Sequence, residues 1–193
     1  MYGENTQRIM FIGALICIVL VASFLLYAKN DLQREQSAEA IAGAFHSFKK
    51  MEGSSELPSL RLAGPDGQEM GLEDLRGKYV LLNFWAMWCA PCVKELPSLQ
   101  ALKNNYTRPD FAIIAVSVDD PVQMEKIPGF LDRLGVGSVA YYHDYKAQLQ
   151  TAFAFNALPT TYLISPQGKI LYVMAGPTDW YTKQMVSFLD RFQ

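Results

Sequence analysis

From Ile9 to Ala28 the chain reads IMFIGALICIVLVASFLLYA, and no charged residue interrupts it between Arg8 and Lys29. About 20 apolar residues in a helix span roughly the 30 Å of a bilayer core, so residues 9–28 are expected to form one transmembrane anchor behind a flank of residues 1–8. A cleaved leader ends in a small-x-small site. Leu26-Tyr27-Ala28 places Leu where a small residue belongs, with Val21-Ala22-Ser23 a weaker fallback, so retention of the segment is expected. Cys17, preceded by Leu15 and Ile16, reads as membrane packing and not as a lipid attachment point. Residues 29–56 follow as stalk and linker. Ile41, Ala44, Phe45 and Phe48 recur at helical spacing among polar neighbours, which predicts a short amphipathic helix within 31–51, ended by Gly53-Ser54-Ser55.

Beyond Leu57 the pattern changes to short apolar runs of strand type. Residues 57–62 and 69–72 flank the turn sequence GPDGQ and predict a β-hairpin, followed by one helical turn at Glu73–Leu75. YVLLNFWA (79–86) and FAIIAVSV (111–118) are almost continuously apolar, as strands covered on both faces are. A helix is predicted from about Pro91 to Asn104, and others over 122–134, 146–154 and 180–192. TTYLIS and ILYVM, joined by the turn PQGK, predict a terminal hairpin. Strands alternating with helices and ending in a hairpin imply an α/β sandwich with a mixed sheet, residues 57–193, as one domain.

Composition narrows the function classes. The 193 residues are 50% hydrophobic and 12% aromatic, with a formal net charge of -2, which suits a globular domain and gives no basic footprint for nucleic acid. No P-loop or dinucleotide-binding glycine motif is present, so nucleotide chemistry is not expected.

The remaining candidate chemistry is the stretch FWAMWCAPC, 84–92. A bridge between Cys89 and Cys92 closes so short a loop that chain entropy gives it only about 2 kcal/mol, a weak staple. A structural zinc site needs four ligands, and apart from this pair the domain supplies one histidine, His143, and no further cysteine. A redox role has positive support, because the pair falls at a strand-to-helix junction where unpaired amides and the helix dipole favour negative charge. Cys89, in the first turn, is then the attacking thiolate and Cys92, one turn deeper, the resolving partner. Pro91 suits a first turn, where its missing N–H costs nothing. Trp85 and Trp88 are either core aromatics or, for Trp88, a cover beside Cys89.

FWAMWCAPCVKELP resembles the active site of the thioredoxin superfamily, specifically the membrane-anchored TlpA/ResA/DsbE-like thiol-disulfide oxidoreductases. The resemblance covers roughly residues 57–192 and includes LRGKYVLLNFWA before the cysteines and LPTTYLISPQGKI near the end. It implies a thioredoxin-like three-layer sandwich with an N-terminal hairpin. It also implies a cis Pro159 facing the disulfide, with Leu158, Pro159 and Thr160 presenting backbone to a substrate strand, where the plain reading is a turn proline. Glu95, one turn beyond Cys92, is implied as a proton carrier for the resolving thiol if it is partly buried; otherwise it is a surface glutamate beside Lys94. Thioredoxins proper carry an aspartate where this chain has Asn83, and an amide cannot move protons at neutral pH.

No cofactor beyond the redox-active disulfide is expected. Ala90 and Pro91 supply no cationic group between the cysteines, so the pair is expected to be relatively reducing. The expected partners are protein disulfides, such as those of apocytochrome c or copper-site assembly proteins, and a membrane thiol-disulfide electron donor. Lys29, Arg34, Lys49 and Lys50 against Arg8 point weakly to a cytoplasmic domain. GPTDW (176–180) resembles the TlpA group, and that implies a bacterial inner-membrane protein with a periplasmic domain instead. A copper chaperone using Cys89, Cys92 and His143 is the alternative, although such chaperones usually space their cysteines more widely; a thiol peroxidase lacks its activating Thr and Cys arrangement.

Overall fold

The computed structural model describes residue 13 and residues 15–33, 48–51, 57–64, 67–137 and 140–192. The chain divides into two compact units, Met1–Ala40 and Ile41–Gln193. In the first, helix α1 (Leu15–Gln33) is 19 residues long and apolar enough to cross a membrane, with Leu20, Phe24, Leu25 and Leu26 among its exposed side chains. At 1.5 Å per residue it spans about 28 Å, close to the thickness of a bilayer core.

The second unit is built on an eight-stranded sheet. Its strands are β1 (Phe48–Lys50), β2 (Arg61–Ala63), β3 (Glu69–Gly71), β4 (Tyr79–Trp85), β5 (Phe111–Ser117), β6 (Ala140–His143), β7 (Thr160–Ile164) and β8 (Ile170–Ala175). They lie in the order β1-β8-β7-β4-β5-β6-β2-β3. The β4–β5 and β5–β6 pairs are parallel and the others antiparallel, so the sheet is mixed. The helices are α2 (Ala90–Asn105), α3 (Ile127–Arg133), α4 (Leu149–Phe153) and α5 (Lys183–Leu189).

Strands β4 and β5 are apolar on both faces because both faces are covered. Leu81 and Trp85 join Leu96, Leu99 and Leu102 of α2, Ile127 and Leu131 of α3, and Met185, Phe188 and Leu189 of α5 in one cluster. Val80, Leu82 and Phe84 point the other way, into a cluster with Leu62, Leu72, and Leu149 and Phe153 of α4. The period-two alternation of a strand therefore feeds two cores, and the result is a three-layer α/β sandwich. Asn83 shares the α2-side face with Leu81 and Trp85 and is fully buried.

Three elements differ from expectation. Most of the amphipathic helix expected within 31–51 lies outside the described residues, but Phe48–Lys50 is strand, paired in antiparallel register with Tyr172–Met174. Pairing to a sheet edge overrides the helical spacing there. The helix expected over 122–134 is split into a 3-10 segment (Pro121–Lys126) and α3, with Pro128 in the first turn of the latter. Strand β6 was not foreseen; four residues pair with β5 on one side and touch β2 through a single pair, Ala63 with His143, on the other.

Candidate active site

Strand β4 ends at Trp85 and α2 begins at Ala90, so residues 86–89 make the turn that carries the first cysteine. Asp119, just past the end of β5 and buried, fixes this turn: its two carboxylate oxygens accept the Met87 N–H at 3.1 and 3.0 Å and the Ser117 hydroxyl at 2.7 Å. Val118 N–H donates to the Trp85 carbonyl at 2.9 Å, which extends the β4–β5 ladder to the edge of the site. His143, 1% exposed, places Nε2 2.8 Å from the Asp119 carbonyl oxygen.

Cys89 is the N-cap of α2 and is bonded to Cys92, with an S–S distance of 2.03 Å and Cα atoms 5.2 Å apart. The Cys92 N–H, an unpaired donor of the first turn, donates to Cys89 Sγ at 3.3 Å. Pro91 sits in that first turn, as its missing donor allows. The two sulfurs are not equivalent. Cys92 is fully buried, whereas Cys89 is 6% exposed and lines a cavity of about 530 Å³ with Trp88, Pro91, Val118, Asp144, Phe155 and Leu158.

The two tryptophans divide between the readings open for them. Trp85 is wholly buried and stacks on Phe130 at 6.2 Å between ring centroids. Trp88 is 71% exposed and forms a wall of the cavity beside Cys89.

The Leu158–Pro159 peptide is cis. Of the three residues implied to meet a substrate strand, only Leu158 lines the cavity. The Pro159 carbonyl accepts the Gly176 N–H at 2.8 Å. Thr160 lies inside the sheet, paired with both Phe84 and Ala175, and its hydroxyl donates to the Ala157 carbonyl. The backbone of these two is spent on the fold.

Glu95 lies one turn past Cys92 on the sheet-facing side of α2 and is 3% exposed. Asn83 Nδ2 donates to its Oε1 at 2.8 Å and the Thr178 N–H donates to its Oε2 at 3.0 Å. Burial pushes its carboxyl from 4.5 up to about 7, against the opposing pull of the Thr178 N–H, the Asn83 amide and the Trp180 indole. The segment 176–180 is held on α2 by Ser98, whose hydroxyl donates to the Glu95 carbonyl at 2.8 Å and accepts the Trp180 N–H at 3.0 Å. GPTDW thus delivers a donor to the buried carboxyl. Asp119 and Thr178 were not singled out in the sequence; the only signals were an acidic residue directly after a buried strand and the GPTDW motif itself.

His143 and the cysteines are not brought together as a metal-binding set, and no group of three or more His, Cys, Asp or Glu side chains suited to a metal occurs among the described residues.

Residues 54–173, well over half of the chain, match the AhpC/TSA family model. Similar curated proteins include the thiol-disulfide oxidoreductase ResA of Geobacillus thermodenitrificans, 31% identical over 90% of both chains. ResA of Bacillus subtilis is 33% identical over 88% of this chain and 87% of its own. Among solved structures, a putative thiol:disulfide interchange protein DsbE from Chlorobium tepidum superposes with a TM-score of 0.64 at 25% identity, covering 74% of this chain and 99% of that one. StoA from Bacillus subtilis shares the fold, with a TM-score of 0.59 at 21% identity over 69% of this chain and 97% of its own. With a disulfide-bonded CxxC at the head of α2, a cis proline before β7 and relatives of this kind along nearly its whole length, the chain belongs to the AhpC/TSA family as a thioredoxin-like thiol-disulfide oxidoreductase.

Proposed function

We propose that this protein is a membrane-tethered reductase of protein disulfides, with Cys89 as nucleophile, Cys92 as resolving thiol and Glu95 as proton carrier. The observation that supports it most is the inequality of the two sulfurs: Cys89 borders a cavity and Cys92 is sealed behind it. In the dithiol form the Cys89 thiolate is stabilised by the Cys92 N–H and the N-terminal end of α2. It attacks one sulfur of a substrate disulfide, forming a mixed disulfide and releasing the other sulfur as a thiolate. Cys92 then gives its proton to the Glu95 carboxylate and attacks Cys89 Sγ, which frees the second substrate sulfur and leaves the Cys89–Cys92 bond. Two electrons pass to the substrate. A membrane thiol-disulfide donor returns them, and no other cofactor takes part.

Trp88, Pro91 and Leu158 form the walls against which the substrate strand lies. The reducing direction is supported by Ala90 and Pro91, which place no cation beside the Cys89 thiolate. With α1 as anchor, the domain faces the periplasm of a bacterial inner membrane, where apocytochrome c thiols or copper-site assembly proteins need protection from oxidation. The test uses the full chain in detergent. Cys89→Ser is expected to abolish reduction of a model protein disulfide, and Cys92→Ser to accumulate a mixed disulfide through Cys89. Equal activity in the two variants refutes the roles. A redox titration with copper added in parallel separates the copper-chaperone reading, which requires stoichiometric binding that His143→Ala abolishes.

A further inference from the structure

Asn83 poses a problem that its place in the core does not solve. It sits in the middle of β4, fully buried between β5 and β7, where a polar side chain is costly unless its groups are paired. Nδ2 spends both of its hydrogens, on Glu95 Oε1 and on Thr161 Oγ1, each at 2.8 Å. Oδ1 is buried and has no partner.

This arrangement serves one protonation state of Glu95. An ionised carboxylate is acceptor-only, and both of its oxygens receive an N–H. Once protonated, one oxygen becomes a donor and needs an acceptor. The Thr178 N–H belongs to the backbone and cannot turn over. The Trp180 indole N–H, which draws the carboxyl's value down without closing to a full hydrogen bond, is donor-only. Cys92, on the same helix, is held in the disulfide. The charged neighbours, Lys94 on α2 and Asp179 on the loop, line an adjoining cavity of about 430 Å³ together with Glu95. Of the groups that hydrogen-bond the carboxyl, only Asn83 carries an acceptor, and that acceptor is the unused Oδ1. Thr161 follows the turn, because a hydroxyl accepts from Nδ2 in one orientation and donates to Oδ1 in the other, while the buried atom left without a partner changes from Oδ1 to Nδ2.

We propose that Asn83 is a positioning residue whose amide turns over when Glu95 takes up a proton, donating to the carboxylate and accepting from the carboxylic acid. Glu95 is then held in one place in both states. An aspartate at position 83 offers no donor when ionised, and an apolar residue offers nothing in either state. The inference gives a purpose to the proton-carrier reading of Glu95 and rests on it for that purpose; its test does not.

The experiment uses the oxidised full chain in detergent, with 15N in the asparagine side chains and 13C in the glutamate carboxyls. The Asn83 signal is assigned by its loss in Asn83→Ser. Above the Glu95 midpoint, a scalar coupling across the hydrogen bond is expected from the Asn83 amide proton to the Glu95 carboxyl carbon. Below it, the coupling disappears with the same midpoint. A coupling that persists on both sides overturns the proposal, since the acid proton then points elsewhere, into the water of the adjoining cavity. Asn83→Asp is expected to raise the Glu95 midpoint by about one pH unit or more, because two adjacent acids resist double ionisation. Thr161→Val leaves the midpoint in place, since its hydroxyl serves both orientations. An unmoved midpoint in a folded Asn83→Asp protein also overturns the proposal. If Glu95→Gln exchanges disulfides at the wild-type rate, the proton-carrier reading fails while the coupling result stands.

Discussion

Replacing Glu95 by Gln removes one titrating group from the core, and the structure states what stability should do in response. Burial raises the folded-state value to about 7 from 4.5. The folded protein therefore holds this proton more tightly than the unfolded chain does. Stability from this group is fully present below the unfolded value and is lost as pH rises through the window up to the folded value. At 1.36 kcal/mol per pH unit the whole effect is roughly 3 kcal/mol, of which about 2.5 kcal/mol falls between pH 5 and pH 8. Glu95→Gln has no such slope but carries an offset. Its amide keeps one oxygen for the Thr178 N–H and turns an N–H group toward Asn83, which leaves Nδ2 unpaired in place or, if the Asn83 amide turns over, unpaired where Oδ1 stood; either way a donor left unsatisfied costs about 1–3 kcal/mol at every pH. The variant is thus expected to be less stable than wild type near pH 5 and to draw level with it or pass it near pH 8. Guanidinium unfolding of the oxidised proteins at four or five pH values measures the difference, in which all other titrating groups cancel. A stability difference that does not change with pH refutes the argument, because it means Glu95 ionises in the fold as it does in water.

Asp119→Ala strips the acceptor from the Met87 N–H and the Ser117 hydroxyl, and is expected to cost at least about 2 kcal/mol of unfolding free energy and to slow exchange at Cys89. Asp119→Asn, which keeps one acceptor oxygen, should recover part of both; an alanine variant with wild-type stability and rate contradicts the clamp. Trp88→Ala should leave stability within about 0.5 kcal/mol, since the ring is 71% exposed, yet lower kcat/KM for a protein disulfide by about tenfold. An unchanged kcat/KM means that substrate does not lie against this wall. A phosphatase reporter that folds only outside the cytoplasm should be active when fused after Gln193, and a reporter active only in the cytoplasm reverses the proposed topology.

The parts of this fold that were legible in the sequence are those whose burial is two-sided or whose chemistry is local. Leu81, Leu82, Ile113 and Ile114 lie in continuous apolar runs because a covered strand has no wet face, and Pro91 announces a helix start by its fixed φ and missing N–H. Strand β6 was not legible, because four residues with partners in β5 and β2 carry too little alternation of their own. The strand at Phe48–Lys50 is made by its partner β8, and its side-chain spacing suggested the wrong period. The burial of Glu95 could not be read from its neighbours, since Lys94 beside it is exposed while Glu95 itself turns to Asn83. Its second oxygen is satisfied by Thr178, 83 residues away in sequence, and such long-range pairing leaves no local trace.

The two strands that bound the sheet, β1 and β3, are three residues long each, and β1 carries Lys49 and Lys50. An open ladder of that length presents few unpaired amides and carbonyls, and lysines on it discourage a second strand from annealing. Were α1 to hold the chain in a membrane, as its length and composition allow, many copies would share a surface and meet one another far more often than in bulk solution. Blunt edges of this kind give a second strand little ladder to anneal to, so two domains that meet at β1 or β3 gain few hydrogen bonds by staying together.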